Sequence, residues 1–228
     1  MAMMTLYSGP LSMYGAKVQI AALEKELPVD LVMVPFTDGH RYDPKHPEVL
    51  RINPKRQVPV LVHGDVEIFD STQIFEYFEH LQPHPRLWPE SPVARARARL
   101  LELKSDEVFF PHVIRLMGLQ DRLAEPPAQE AIAHLSVIYA DMDSVLDGRQ
   151  YLADEYTYAD IAFFMAQLFA ERLGAALPAT APRLLAWRRR VVARPAVLAV
   201  AAQFVAALQR LRLPVPRFMM DAVGHRAD

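Results

Sequence analysis

The sequence predicts a small α/β unit followed by an all-α unit, and three observations carry that expectation. Strand-like and helix-like segments alternate over the first 80 or so residues. A dense proline cluster follows, Gln82-Pro-His-Pro-Arg-Leu-Trp-Pro-Glu-Ser-Pro92. Beyond it, long apolar-periodic stretches run to the C-terminus with no convincing strand. Proline at that density continues neither a helix nor a central strand. The expected division is therefore 1–82, a linker at 83–91, and a helical domain at 92–228.

In chain order, Thr5–Ser8 reads as a strand and Tyr14–Glu26 as a helix. Val29–Phe36, rich in Val and Leu, reads as a second strand, and Pro44–Ile52 as a second helix. Val58–Val62 and Val66–Phe69 flank His63-Gly-Asp65, the pattern of a hairpin with a glycine turn. Ser71–Leu81 places Ile74, Tyr77, Phe78 and Leu81 at helical offsets. The order β-α-β-α-β-β-α predicts a mixed sheet covered by helices. In the second half, Ser91-Pro92 is a helix start and Val93–Gly118 its body, with Pro111 a site for a kink. A helix is expected over 127–147. Thr157-x-x-Asp160 opens another in the manner of a capping box, and its body to Ala170 is apolar on nearly every face, as for the central helix of a bundle. Two more are expected over 182–193 and 195–211, and the tail from Leu213 is left unassigned.

Composition narrows the function. With 25 basic and 27 acidic side chains the chain lacks the basic surface that nucleic acid or an anionic membrane requires. The N-terminus has no signal-like basic and apolar regions, and the longest uncharged run, Pro195–Gln209, is too short to span a bilayer, so a cytoplasmic protein is expected. There is no cysteine, hence no disulfide, thiolate metal site or protein-thiol chemistry. The histidines show no metal-ligand spacing. Arg188-Arg-Arg190 reads as a solvated helix face.

Three local patterns allow ligand chemistry, each beside a purely structural reading. Ser12 follows a Gly-Pro turn at a helix N-terminus, where amides and the helix dipole favour an anion; it would also serve as a simple cap. Gln57-Val58-Pro59 places a candidate cis proline ahead of a strand, leaving backbone groups of Val58 free for an extended ligand. Asp70-Ser71 offers a carboxylate for an ammonium group and donors for a carboxylate at a helix start.

Taken in order, Pro10-Leu-Ser12, Asn53-Pro54, Gln57-Val-Pro59, Asp70-Ser71, the proline linker and Thr157-x-x-Asp160 resemble the cytosolic glutathione S-transferases, in particular the serine-type phi and theta classes. The resemblance spans about Thr5 to Leu211. It implies a thioredoxin-like N-terminal domain, an all-helical C-terminal domain, a homodimer, glutathione as co-substrate, and transfer of glutathione to small hydrophobic electrophiles in detoxification. It places the catalytic serine on Ser12, with Ser8, Tyr7 and Tyr14 in reserve. Lys45 matches the lysine for the glycyl carboxylate, with Pro44 where a histidine is usual. Gln57, Val58 and Pro59 match the backbone-binding segment, and Asp70 and Ser71 the pair that holds the γ-glutamyl end. The electrophile pocket is expected between the domains, near Leu11, Tyr14, Phe109, Phe110, His112 and Leu116; those aromatics could equally be packed core. Relatives with a cysteine at the active turn act as thiol reductases, a route closed here. A non-catalytic interaction module of the same fold is the second expectation, motivated by Phe218 and the methionines of the tail.

Overall fold

The structure is a computed structural model that describes residues 3–37, 39–43 and 45–224. Strand β1 (Met4–Ser8) leads to α1 (Met13–Glu24), β2 (Val29–Met33), α2 (Pro47–Ile52), the hairpin β3 (Val60–His63) and β4 (Val66–Phe69), and α3 (Ser71–Leu81). The sheet order is β2-β1-β3-β4, with β1 and β2 parallel and the other pairs antiparallel. This is the helix-covered mixed sheet that the alternation predicted, in the thioredoxin-like arrangement that the resemblance implied.

Alternation along β1 explains how the layers form. Met4 and Leu6 face the same side and bury with Val18 and Ala22 of α1, Leu61, and Ile74 and Phe78 of α3. Tyr7 faces the other side, toward Val34, Val49 of α2 and Val60. Each fully buried Leu, Ile or Phe side chain contributes about 1.5–3 kcal/mol, and a register slip of one residue would move all of β1's apolar set to the wrong face. Lys25, just past α1, is fully buried and donates to the carbonyls of Gln82 (2.8 Å) and Pro85 (2.9 Å) and to Glu79 Oε2 (2.6 Å). It ties the end of α3 and the start of the proline cluster to α1.

The chain packs as two compact units. One holds the residues up to Arg86 with Pro195–Val215 and those from Met219; the other holds Leu87–Arg194 and Pro216–Phe218. Within the first unit, α9 (Pro195–Arg210) lies against α1.

The second unit contains α4 (Pro92–Leu103), α5 (Phe110–Met117), α6 (Pro126–Val145), α7 (Tyr158–Arg172) and α8 (Pro182–Val192). The single helix expected over 93–118 is instead α4, a π-helical turn at Lys104–Phe109, and α5. Pro111 accounts for the change, since its ring excludes the carbonyl four residues back and it has no N–H to give; a widened turn accommodates both. Ser91 occupies the N-cap position of α4 but makes no side-chain capping bond.

Helix α7 is the buried centre, as its composition predicted, with every residue from Tyr158 to Ala170 buried. Asp160 supports it from within. Its carboxylate accepts from Thr157 N (2.9 Å), Thr157 Oγ1 (3.2 Å), Leu152 N (3.0 Å) and Trp187 Nε1 (2.8 Å). Burial pushes this carboxyl's pKa up, against the pull of those four donors.

One expectation is corrected. Arg188 is not on a solvated face: it is nearly buried, pairs with Glu171 and stacks over Phe218 with 4.0 Å between guanidinium and ring centroid. The tail, left unassigned from the sequence, is also ordered. It forms α10 (Arg217–Gly224), in which Phe218 packs edge-on against Phe164 and Met219 is fully buried. Residues 225–228 of that tail lie outside the described residues. Among the described residues no single helix is long and apolar enough to cross a membrane.

Candidate functional site

Strand register brings the three sequence patterns to one end of the sheet. Tyr7 pairs with Val60 and Val60 with Phe69, so the end of β1, the start of β3 and the end of β4 are side by side. The turn bearing Ser12 leaves the first, Gln57-Val58-Pro59 enters the second, and Asp70-Ser71 leaves the third. Residues separated by almost sixty positions therefore converge.

Ser12 is the N-cap of α1. Its Oγ accepts from Gly15 N–H at 3.0 Å, which leaves the hydroxyl proton for an outside acceptor. Glycine at 15 is required by the strand beneath: a Cβ there would sit 2.1 Å from Ser8 Oγ. Ser8 is fully buried and accepts from Gln19 Nε2 at 2.8 Å. Of the reserve candidates, then, Ser8 braces α1 on β1, Tyr7 lies against the His46 ring (4.8 Å between centroids), and Lys17 Nζ stands over the Tyr14 ring.

The Val58–Pro59 peptide is cis, as expected. Pairing of β3 begins at Val60, so Val58 lies beyond the ladder, and Gln57 is exposed. The preceding loop is organised by Asn53, which is buried. Its Nδ2 donates to Gln57 O (2.5 Å), its Oδ1 accepts from Lys55 N (2.9 Å), and its carbonyl accepts from Arg56 N (2.8 Å). The sequence showed Asn53-Pro54 as part of a resemblance; the work its amide does was visible only in the structure.

Asp70 is the N-cap of α3, with Oδ1 accepting from Thr72 N (3.0 Å) and Gln73 N (3.3 Å). Its backbone φ of 77° is one that L residues rarely adopt and costs about 1–3 kcal/mol. Ser71 is buried at the first position of the helix. Lys45 pairs with Asp43 at 3.4 Å in the loop before α2; its neighbour Pro44 lies outside the described residues.

The expected pocket residues divide between the units, Leu11 and Tyr14 in the first and the rest in the second. Phe109, Phe110 and Leu116 are core side chains there, Phe109 against Tyr139 and Phe163 and Phe110 against Phe169. His112 is half-buried and stacks on His134, with ring centroids 4.7 Å apart and planes within 7°. Burial, then His134 and Arg115, lower its pKa, while Glu130 opposes them. Among the described residues no group of three or more His, Cys, Asp or Glu is placed to hold a metal.

One participant had no sequence signal. Tyr42 sits against the Ser12 turn, its hydroxyl oxygen 3.2 Å from Leu11 N, and burial pushes its pKa well above the usual phenol range.

The N-terminal domain model of glutathione S-transferases matches residues 6–86, and the C-terminal domain model matches 107–195. The chain is 33% identical over 160 residues to a stringent starvation protein A homolog of Coxiella burnetii, spanning 69% of this chain and 71% of that protein. It is 31% identical over 209 residues to glutathione S-transferase 2 of Saccharomyces cerevisiae, spanning 85% and 88%. A solved glutathione S-transferase from Rhodospirillum rubrum F11 superposes with a TM-score of 0.80 at 26% identity, covering 96% of this chain and 99% of that one. With the fold, the converging turn motifs and these matches together, the chain belongs to the glutathione S-transferase family.

Proposed function

We propose that this protein binds glutathione as co-substrate, stabilises its thiolate and transfers it to a small hydrophobic electrophile. The observation that carries the reading is the convergence of Ser12, Val58 and Asp70 on one end of the sheet. Val58 would pair with the ligand's backbone. Asp70 and Ser71 would hold its γ-glutamyl end, Gln57 and Pro59 would shape the strand it adds to, and Lys45 would meet its glycyl carboxylate.

Ser12 would donate to the sulfur. A thiol of pKa about 8.5 is only a few per cent ionised at neutral pH, and the thiolate is the nucleophile. A hydroxyl donor together with the positive end of α1 favours the anion; a drop of about two units corresponds to roughly 2.7 kcal/mol. Leu11, Tyr14 and His112 are the proposed contacts for the electrophile, with Phe109, Phe110 and Leu116 behind as packing. A cytoplasmic homodimer, divided at 83–91 into a glutathione-binding and a helical domain, completes the proposal.

Titration calorimetry with reduced glutathione and turnover of an aryl halide test it. Micromolar binding is expected, with Ser12→Ala lowering kcat/KM about 10- to 100-fold, the worth of one hydrogen bond to a charged group. Equal activity in the two proteins would remove Ser12 from this role. The second reading, a non-catalytic module of the same fold, is favoured by the match to a stringent starvation protein A homolog. Absent or millimolar binding by the wild type would select it.

A further inference from the structure

We propose that Tyr42 is a positioning residue that holds the Ser12-bearing turn from outside, through its hydroxyl and ring together. The consequence for thiol ionisation rests on the reading above; the mechanical role does not.

The turn itself is minimal. Ser12 N–H donates to Gly9 O at 3.2 Å, closing a four-residue turn over Pro10 and Leu11. Proline has no N–H, and the Leu11 N–H is not used by that bond. It donates instead to the Tyr42 hydroxyl oxygen at 3.2 Å, across 31 residues of sequence. The ring of Tyr42 also lies on the turn's backbone: a Cβ on Gly9 would be 2.5 Å from Tyr42 Cε1 and 2.6 Å from its hydroxyl oxygen. Glycine at 9 is thus what lets the ring approach.

Tyr42 is in turn fixed. Phe36 meets its ring edge-on with centroids 4.8 Å apart. Thr37 and Arg41, the latter adjacent to Tyr42 in sequence, exchange backbone hydrogen bonds of 2.9 and 2.7 Å. Its ring packs with the cluster of Val34, Val49 and Val60 on the α2 side of the sheet. Burial disfavours the phenolate, so the oxygen stays a neutral acceptor for Leu11 at all working pH values. Ser12 is one residue from the tethered amide. Anchoring Leu11 therefore limits where the Ser12 hydroxyl sits, and small displacements of a positioned group are costly to rate.

Tyr42→Phe separates the bond from the packing, because it keeps the ring and removes the acceptor. Three measurements on the full chain decide the matter. In the protein without ligand, the Leu11 amide of the variant should exchange with solvent at least about 10-fold faster, while the melting temperature changes little. With glutathione bound, the thiolate absorbance should titrate at higher pH by about half a unit to one unit, and kcat should fall more than KM changes. In a Ser12→Ala background the Tyr42→Phe shift in thiol titration should vanish, since a residue acting through Ser12 has nothing left to position.

Unchanged Leu11 exchange in Tyr42→Phe would overturn the inference, as would a thiol shift of equal size with and without Ser12. If the wild type binds no glutathione, the proposed function fails, and Leu11 exchange alone then upholds or refutes the tether.

Discussion

Replacing Gly15 with alanine should destabilise the protein even though it puts the best helix former in place of a poor one. In an open helix the change would gain about 0.8–1.0 kcal/mol. Here the new Cβ would lie 2.1 Å from Ser8 Oγ, and Ser8 is a short, fully buried side chain with no room to swing into solvent. Forcing α1 and β1 apart costs about 1–3 kcal/mol, and turning Ser8 away would forfeit about 1 kcal/mol for the bond from Gln19. The opposing terms leave a net loss of about 1–3 kcal/mol, or roughly 2–10 °C in melting temperature for a chain of this size. Urea denaturation and thermal melts of Gly15→Ala, Ser8→Ala and the double variant form the assay. In the double variant the clashing oxygen is gone and the next nearest atom, Ser12 Oγ, is 3.2 Å away. The two changes together should therefore cost at least about 1 kcal/mol less than their sum. A Gly15→Ala protein as stable as the wild type, or a coupling near zero, would refute the reasoning.

Asp160→Ala should cost about 3–5 kcal/mol in urea denaturation, because it strands the buried donors of Leu152, Thr157 and Trp187 at once; a loss under 1 kcal/mol would contradict that. His112 has a folded-state pKa below its unfolded value, so the unfolded chain binds the proton more readily. Its contribution is therefore fully present above about pH 6.5 and is lost as the pH falls below it, and the drop in melting temperature between pH 7.5 and 5 should shrink in His112→Gln. Lys25→Met should lower stability by about 3–5 kcal/mol and speed proteolysis in the 82–92 segment, since it removes three bonds from a buried ammonium group. Wild-type cleavage kinetics there would argue that the segment is held by other contacts.

What was legible in the sequence was what local pattern decides. The hairpin at 60–69, α3 with its apolar face, the cis proline and the Thr157/Asp160 cap all rest on interactions within a few residues of each other. Asp160 already exceeds that range, because two of its four bonds reach Leu152 and Trp187. What was not legible was long-range pairing. Nothing near Tyr42 announces a partner at Leu11, and nothing near Arg188 announces Glu171 and Phe218, so three adjacent arginines read as surface when one of them is nearly buried. The tail stayed unassigned for a similar reason: Phe218 meets Phe164 and Arg188, far from it in the chain, and eight residues are too few to declare a helix by periodicity.

The hydrogen-bond inventory of Ser12 bears on what this end of the sheet can do. A serine that attacks a substrate needs a base to take its proton and a lone pair aimed at the carbon. Here the oxygen already accepts an amide proton from Gly15 at the start of a twelve-residue helix, which lowers its electron density and makes its own proton more acidic. Both effects weaken it as a nucleophile and strengthen it as a donor toward an anion. The chain has no cysteine, so an anionic sulfur at this point would have to belong to a ligand. In the proposed function, Val58 beyond the β3 ladder and Asp70 at the adjoining helix start would bring one there. The two tyrosines near the turn differ in the same way. Tyr7 lies within β1 with its side chain facing the His46 ring and the α2 layer, whereas Tyr42 reaches the turn's backbone with an oxygen that burial keeps neutral, and so acts on the geometry of Ser12 and not on charge.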